Sequence, residues 1–189
     1  MKAAIFLERD GVINEVGTVS GRQQIPVHVA DFQVRKDVLK SLDKLKAAGF
    51  LVIVTTNQPG LSGGDLNRTE LDMMHGMLLR ALPIDDILMC PHAADDDCHC
   101  RKPEAGLFTE ARFKWKLDMD LSFTISDKWQ DAAAAHVAGC TSVLIESPYN
   151  GTGHHDFIVK NLTVAVDKIL SLYTPSEEPA RATRSSRGG

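Results

Sequence analysis

Five times along this chain a short apolar run breaks off into polar residues, and each time an amphipathic stretch follows before the next run begins. The runs are Ala3 to Leu7, Phe50 to Val54, Ile84 to Met89, Phe123 to Ile125 and Ser142 to Ile145. Runs of that length without alternation suit strands buried on both faces. Between them, Asp37 to Ala48, Asn67 to Leu82, Ala105 to Leu117, Gln130 to Ala138 and Asn161 to Tyr173 carry helical spacing, and Gly49 and Gly139 close two of these stretches. The pattern predicts an α/β fold, a Rossmann-like parallel sheet with helices on both faces. At 189 residues the chain makes one domain, expected over residues 1–173, with a Ser-, Pro- and Arg-rich tail over 174–189 expected to be disordered.

In open sheets of this kind, ligands bind beyond the carboxyl ends of the strands, and polar residues gather there. Glu8-Arg9-Asp10-Gly11 follows the first run, where two carboxylates two residues apart can share a cleft, bind Mg²⁺ through oxygen and divide the work of nucleophile and general acid/base. Solvated turn carboxylates are the plain alternative. Thr55-Thr56-Asn57-Gln58-Pro59-Gly60 follows the second run and offers hydroxyls, amides and backbone N–H groups to phosphate oxygens, although such a turn is common. Arg101-Lys102 offers two cations for a phosphate, or a solvated basic pair. Asp127 is placed to complete a magnesium site, with Lys128 set to contact substrate. Asp131 can brace either from behind or cap the next helix, and taken alone it reads as a cap. Each signal is weak singly; four at four strand ends reinforce one another.

Of four cysteines, Cys90, Cys98 and Cys100 fall within eleven residues beside a histidine, a spacing that suits a metal site in a reducing compartment better than a disulfide framework. Cys140 reads as a small buried residue. The apolar N-terminal run is too short for a signal peptide or a membrane span, so a cytoplasmic protein without membrane partner is expected. A formal charge of −4 argues against nucleic acid as a main partner. A monomer is the default.

Taken together, Glu8-Arg9-Asp10-Gly11-Val12-Ile13-Asn14, Thr56-Asn57-Gln58, Arg101-Lys102-Pro103 and Ser126-Asp127-Lys128 resemble the four signature motifs of the haloacid dehalogenase superfamily. Within it, the chain is similar from about Ala3 to Ile145 to the branch of D-glycero-D-manno-heptose 1,7-bisphosphate and histidinol-phosphate phosphatases. The resemblance implies a sheet without a large cap domain and Mg²⁺-dependent hydrolysis of a small phosphate monoester through an acyl phosphate. Heptose 1,7-bisphosphate, hence heptose or lipopolysaccharide biosynthesis, is the first expectation, and histidinol phosphate is the alternative. Carried over by position, Glu8 falls at the nucleophile, Asp10 at the acid/base, and Thr56 and Lys102 at the phosphoryl clamp. Glu8, Asp10 and Asp127 fall at the magnesium ligands, and Asn57, Gln58, Arg101 and Lys128 in the substrate pocket. Cys90, His92, Cys98 and Cys100 supply three thiolates and an imidazole for a structural Zn²⁺ that staples a loop, with His99 outside the set.

Two positions depart from the family. Glu8 stands where aspartate is usual, which moves the carboxylate outward by one methylene, and a misplacement of order 1 Å can cost ~100-fold in rate. A catalytically silent phospho-ligand-binding protein is therefore a second reading. Ser126 stands where glycine is usual, and the polar stretch from Gly17 to Asp31 is longer than the family leads one to expect, so it is a candidate source of pocket contacts.

Overall fold

The computed structural model describes residues 1–173; the expectation for the tail lies outside the described residues. In chain order the strands and α-helices are β1 (Ala4–Leu7), β2 (Gly17–Val19), β3 (Arg22–Gln24), α1 (Val38–Ala47), β4 (Leu51–Asn57), α2 (Gly60–Gly63), α3 (Arg68–Ala81), β5 (Asp86–Cys90), α4 (Gly106–Trp115), β6 (Phe123–Ser126), α5 (Trp129–Ala138), β7 (Thr141–Ile145), β8 (Phe157–Val159) and α6 (Leu162–Leu172).

Six strands form one parallel sheet in the order β5-β4-β1-β6-β7-β8. The chain steps outward from β1 through β4 to β5, then returns to the other side of β1 at β6. That reversal is the topological switch point of a doubly wound sheet, and it opens a crevice at the ends of β1 and β6. Side chains alternate between the two faces. Ile5 and Leu7 join Val52 and Val54 under α1, α3 and α6, while Ala4 and Phe6 join Ile53 under α4 and α5. Burial on both sides is what makes these strands read as unbroken apolar runs.

The second run is longer than its apolar part. β4 continues through Thr55, Thr56 and Asn57, which pair with Leu88, Met89 and Cys90 of β5. Their backbone belongs to the ladder although their side chains are polar: the Thr56 and Asn57 side chains serve the site at the strand's end, and Thr55 serves it through its carbonyl. Four short elements were not foreseen: the four-residue α2 lies in what the sequence reads as a loop, and three strands complete the set. β8 is a three-residue edge strand among polar residues, and β2 and β3 form an antiparallel hairpin within the Gly17 to Asp31 stretch. These strands are too short and too exposed to leave a burial pattern. Among the described residues, no helix is long and apolar enough to cross a membrane.

Candidate active site

Glu8 leaves β1 with its carboxylate turned back over the strand end. Its Oε1 accepts from the backbone N–H of Arg9 at 2.9 Å, from that of Asp10 at 3.3 Å and from the Thr56 hydroxyl at 3.0 Å. Its Oε2 accepts from Lys102 Nζ. Lys102 is buried, and its ammonium also donates to the Thr55 carbonyl at 2.7 Å and to Asp131 Oδ1 at 2.5 Å. Asp131 is therefore a brace for Lys102 and not a helix cap: Lys128 stands at the N-cap of α5, with no side-chain cap bond.

The charges settle by competition. Burial works to raise the Glu8 pKa, but Lys102 and Lys128 outweigh it and hold the carboxyl at about 2. For Asp131, burial and the Glu8 charge outweigh Lys102 and push it up to about 6. Burial likewise opposes both ammonium groups, yet the carboxylates around Lys102 and Lys128 push them above the usual lysine value. Glu8 is thus an anion held between cations, the charge state a nucleophile or a metal ligand requires.

Asp10 is fixed from three directions. Arg9 doubles back and donates to it through Nη2 at 3.0 Å and Nε at 3.2 Å, Asn14 Nδ2 donates at 3.1 Å, and Gln58 Nε2 donates at 2.8 Å. Gln58 also donates to the Thr56 hydroxyl at 2.9 Å, so it sits behind the cleft and orients Asp10 and Thr56, where the sequence placed it in the substrate pocket. Asn57 faces the cleft, but both ends of its amide clasp the backbone of Lys102 at 3.1 Å. Arg101 lines the cleft and donates through Nη1 to the His92 carbonyl at 3.1 Å.

Asp127 ends β6 beside the turn after β1. Lys128 Nζ lies 2.6 Å from Asp127 Oδ1 and 2.7 Å from the Asp10 carbonyl, and it feels the Glu8 charge. Two oxygens thus converge on one point that a cation already holds, with the Glu8 charge nearby. A hard ion such as Mg²⁺ fits that donor set, provided Lys128 swings away. The other oxygen, Asp127 Oδ2, accepts from Gln23 Nε2 of β3 at 2.5 Å. Ser147 and Asn150 hold the Asp127 carbonyl from beneath. Arg9, Gln23, Ser147 and Asn150 carried no sequence assignment. For Arg9 there was a signal, a basic residue enclosed between two acids in a tight turn, and Gln23 falls in the Gly17 to Asp31 stretch marked as a source of pocket contacts.

The open part of the site is a cavity of about 180 Å³ lined by Glu8, Asp10, Asn57, Arg101, Lys102 and Lys128 among others. Beside it, Cys90, His92, Cys98 and Cys100 bring their ligand atoms within 4.8 Å of one another, and His99 is not part of the group. The Cys90–Cys98 and Cys98–Cys100 sulfurs are 3.7 Å apart, and His92 Nδ1 lies 3.5 and 3.2 Å from Cys90 and Cys100. A tetrahedron with Zn–S bonds of ~2.3 Å has sulfur–sulfur edges of ~3.8 Å, so the donor set and its spacing both fit zinc.

Comparison with known proteins agrees with this geometry. The family model described as polynucleotide kinase 3 phosphatase matches residues 14–178. The D-glycero-beta-D-manno-heptose-1,7-bisphosphate 7-phosphatase of Bordetella bronchiseptica is 30% identical, over 76% of this chain and 80% of that protein. Its counterpart in Helicobacter pylori is 30% identical, over 88% of this chain and 96% of that protein. The crystal structure of D,D-heptose 1,7-bisphosphate phosphatase from B. bronchiseptica, complexed with magnesium and phosphate, superposes with a TM-score of 0.79 at 28% identity, covering 91% of this chain and 99% of that one. The six-stranded parallel sheet, the acidic and basic residues at its switch point and these similarities together show that the chain belongs to the haloacid dehalogenase-type phosphatases, in the family that holds the heptose-bisphosphate phosphatases.

Proposed function

We propose that this chain hydrolyses a small sugar phosphate, D-glycero-D-manno-heptose 1,7-bisphosphate first among the candidates. The observation that carries the reading is the Glu8 carboxylate, held ionised between Lys102 and Lys128 at the floor of a cavity large enough for a phosphoryl group. In this reading a Glu8 oxygen attacks phosphorus, the bond from phosphorus to the sugar oxygen breaks, and Asp10, released from its pairing with Arg9 and carrying a proton, gives that proton to the sugar oxygen. The acyl phosphate on Glu8 is then cleaved by water, whose proton returns to Asp10, releasing inorganic phosphate and restoring the carboxylate. Thr56 and Lys102 hold the phosphoryl oxygens and offset their charge. Mg²⁺, held by Glu8, the Asp10 carbonyl and Asp127, would add a second positive charge to the same oxygens.

Zn²⁺ on Cys90, His92, Cys98 and Cys100 has no open position and is structural in this reading. The cytoplasm suits it, since reducing conditions keep the thiols available. The net charge of −4 and the small cleft favour a sugar phosphate over a polynucleotide. A phospho-ligand-binding role without turnover is the second reading, favoured by the occupation of both Glu8 oxygens.

The experiment is phosphate release with Mg²⁺ from heptose 1,7-bisphosphate and histidinol phosphate, by the native chain and by Glu8→Asp and Asp10→Asn. Turnover by the native chain that Asp10→Asn abolishes supports the hydrolase. Turnover by Glu8→Asp alone supports the binder. Silence from the native chain and from Glu8→Asp on both substrates defeats the substrate assignment.

A further inference from the structure

The β2–β3 hairpin borders the phosphoryl cleft on slender support. Five of its six strand residues are exposed, and the half-buried one is Gln23. Two hydrogen bonds tie residues 17–24 to the rest of the described residues. One runs from the Tyr149 hydroxyl to the Gly21 carbonyl at 3.4 Å, a long and exposed contact. The other runs from Gln23 Nε2 to Asp127 Oδ2 at 2.5 Å, in the wall of the cleft itself. The hairpin is therefore pinned chiefly to a carboxylate whose other oxygen faces the point suited to a metal.

Room has been made for that contact. Gly11, in the turn after β1, packs against it: a β-carbon there would run into Asp127 Oδ2 and come within 3.2 Å of Gln23 Nε2. From the other side, Ser147 and Asn150 donate to the Asp127 backbone carbonyl and fix the main chain. Only the side-chain torsions of Asp127 then remain to be set. Lys128 Nζ holds Oδ1 and Gln23 holds Oδ2, so the carboxylate is gripped at both oxygens. Once Lys128 yields Oδ1 to a cation, Gln23 is the side chain that still orients the carboxylate. Groups that hold a ligating carboxylate from behind are worth ~10- to 100-fold in metal affinity.

We propose that Gln23 is the positioning residue of Asp127, and that through this bond the hairpin and a divalent cation in the cleft stabilise each other. The inference rests on the magnesium assignment in the reading above and extends it to an element that touches no metal. An opened hairpin frees the Asp127 carboxylate to turn, which weakens the hold on the cation. A bound cation fixes the carboxylate in the orientation that Gln23 needs, which keeps the hairpin closed. The two effects are one coupling free energy seen from either end.

The test takes the full chain loaded with Zn²⁺ and uses Mg²⁺ alone as the probe, so it requires neither substrate nor turnover. Calorimetry gives the Mg²⁺ affinity, and amide hydrogen exchange over residues 17–24 reports hairpin closure with and without saturating Mg²⁺. Gln23→Met keeps the length of the side chain and removes its donor. Gln24→Ala alters the exposed neighbour on the same strand, and Asp127→Asn marks the site. The expected result is Mg²⁺ affinity about tenfold weaker in Gln23→Met and unchanged in Gln24→Ala. Mg²⁺ should slow hairpin exchange by up to about tenfold in the native chain and in Gln24→Ala, and not in Gln23→Met. A hairpin merely loosened by the substitution would exchange faster yet keep its response to Mg²⁺. The proposal is overturned if Gln23→Met binds Mg²⁺ as the native chain does, if it keeps the exchange response, or if native hairpin exchange ignores Mg²⁺. In each of those cases, Mg²⁺ binding that Asp127→Asn abolishes leaves the magnesium assignment standing. A native chain that binds no Mg²⁺, or an Asp127→Asn variant that binds it equally well, overturns the assignment and the proposal together.

Discussion

The ammonium of Lys128 stands 2.7 Å from the backbone carbonyl of Asp10, on the point where that oxygen and Asp127 Oδ1 converge. A lysine side chain and a divalent ion would therefore contend for the same acceptors. Lys128→Met removes the competitor and one repelling charge, and it is expected to tighten Mg²⁺ binding by about tenfold while lowering turnover. Calorimetric titration with Mg²⁺ checks it; unchanged or weaker affinity would show that the lysine moves away without cost.

Gly11 is held at a φ of +92°, and a β-carbon there would collide with the Asp127 carboxylate. Gly11→Ala meets both difficulties at once. It is expected to lower stability by about 2 kcal/mol and to weaken Mg²⁺ binding by displacing Asp127. Urea denaturation and metal titration of the variant measure the two effects separately.

Arg9 Nη1 lies 3.3 Å from His75 Nε2, and burial together with the Arg9 charge pulls His75 down to about 4. An ordinary histidine in the unfolded chain titrates near ~6.5. Between these values, falling pH protonates the unfolded chain before the folded one, so stability present at neutral pH is lost as pH drops from about 6.5 to 4. The loss is expected to reach about 2 kcal/mol and to flatten in His75→Gln, as followed by urea midpoints across that range. A native profile already flat there would contradict it.

Removal of zinc by a strong chelator, or Cys90→Ser, is expected to lower the melting temperature by several degrees, since metal-ligand bonds stabilise only the folded loop. Re-addition of Zn²⁺ should restore the chelated native chain but not the variant. A melting curve indifferent to both would leave Cys90, Cys98 and Cys100 as free thiols beside His92.

The sheet was legible because parallel strands buried on both faces leave unbroken apolar runs, as in Ala4–Leu7. Glu8 and Asp127 were legible for a related reason: they follow closely on those runs with charge, and the fold buries both. What stayed hidden depends on distance in space. Nothing in the sequence around Gln23 points to Asp127, 104 residues away. Gln58 was placed in the right neighbourhood, but its amide turns to Asp10 and Thr56, because an amide's partners follow from backbone direction, which side-chain type does not reveal. Asp131 looked like a cap because its true partner, Lys102, arrives from another loop.

Asn57 and Cys90 are register partners on adjacent strands, and each begins a tether to the same short segment. Asn57 clasps the Lys102 backbone directly, while Cys90 gathers Cys98 and Cys100, the latter two residues upstream of that lysine. The aim of one ammonium group is thus secured in duplicate. A lineage could shed its cysteines, or exchange the asparagine, and keep one backbone tether beside the Asp131 brace.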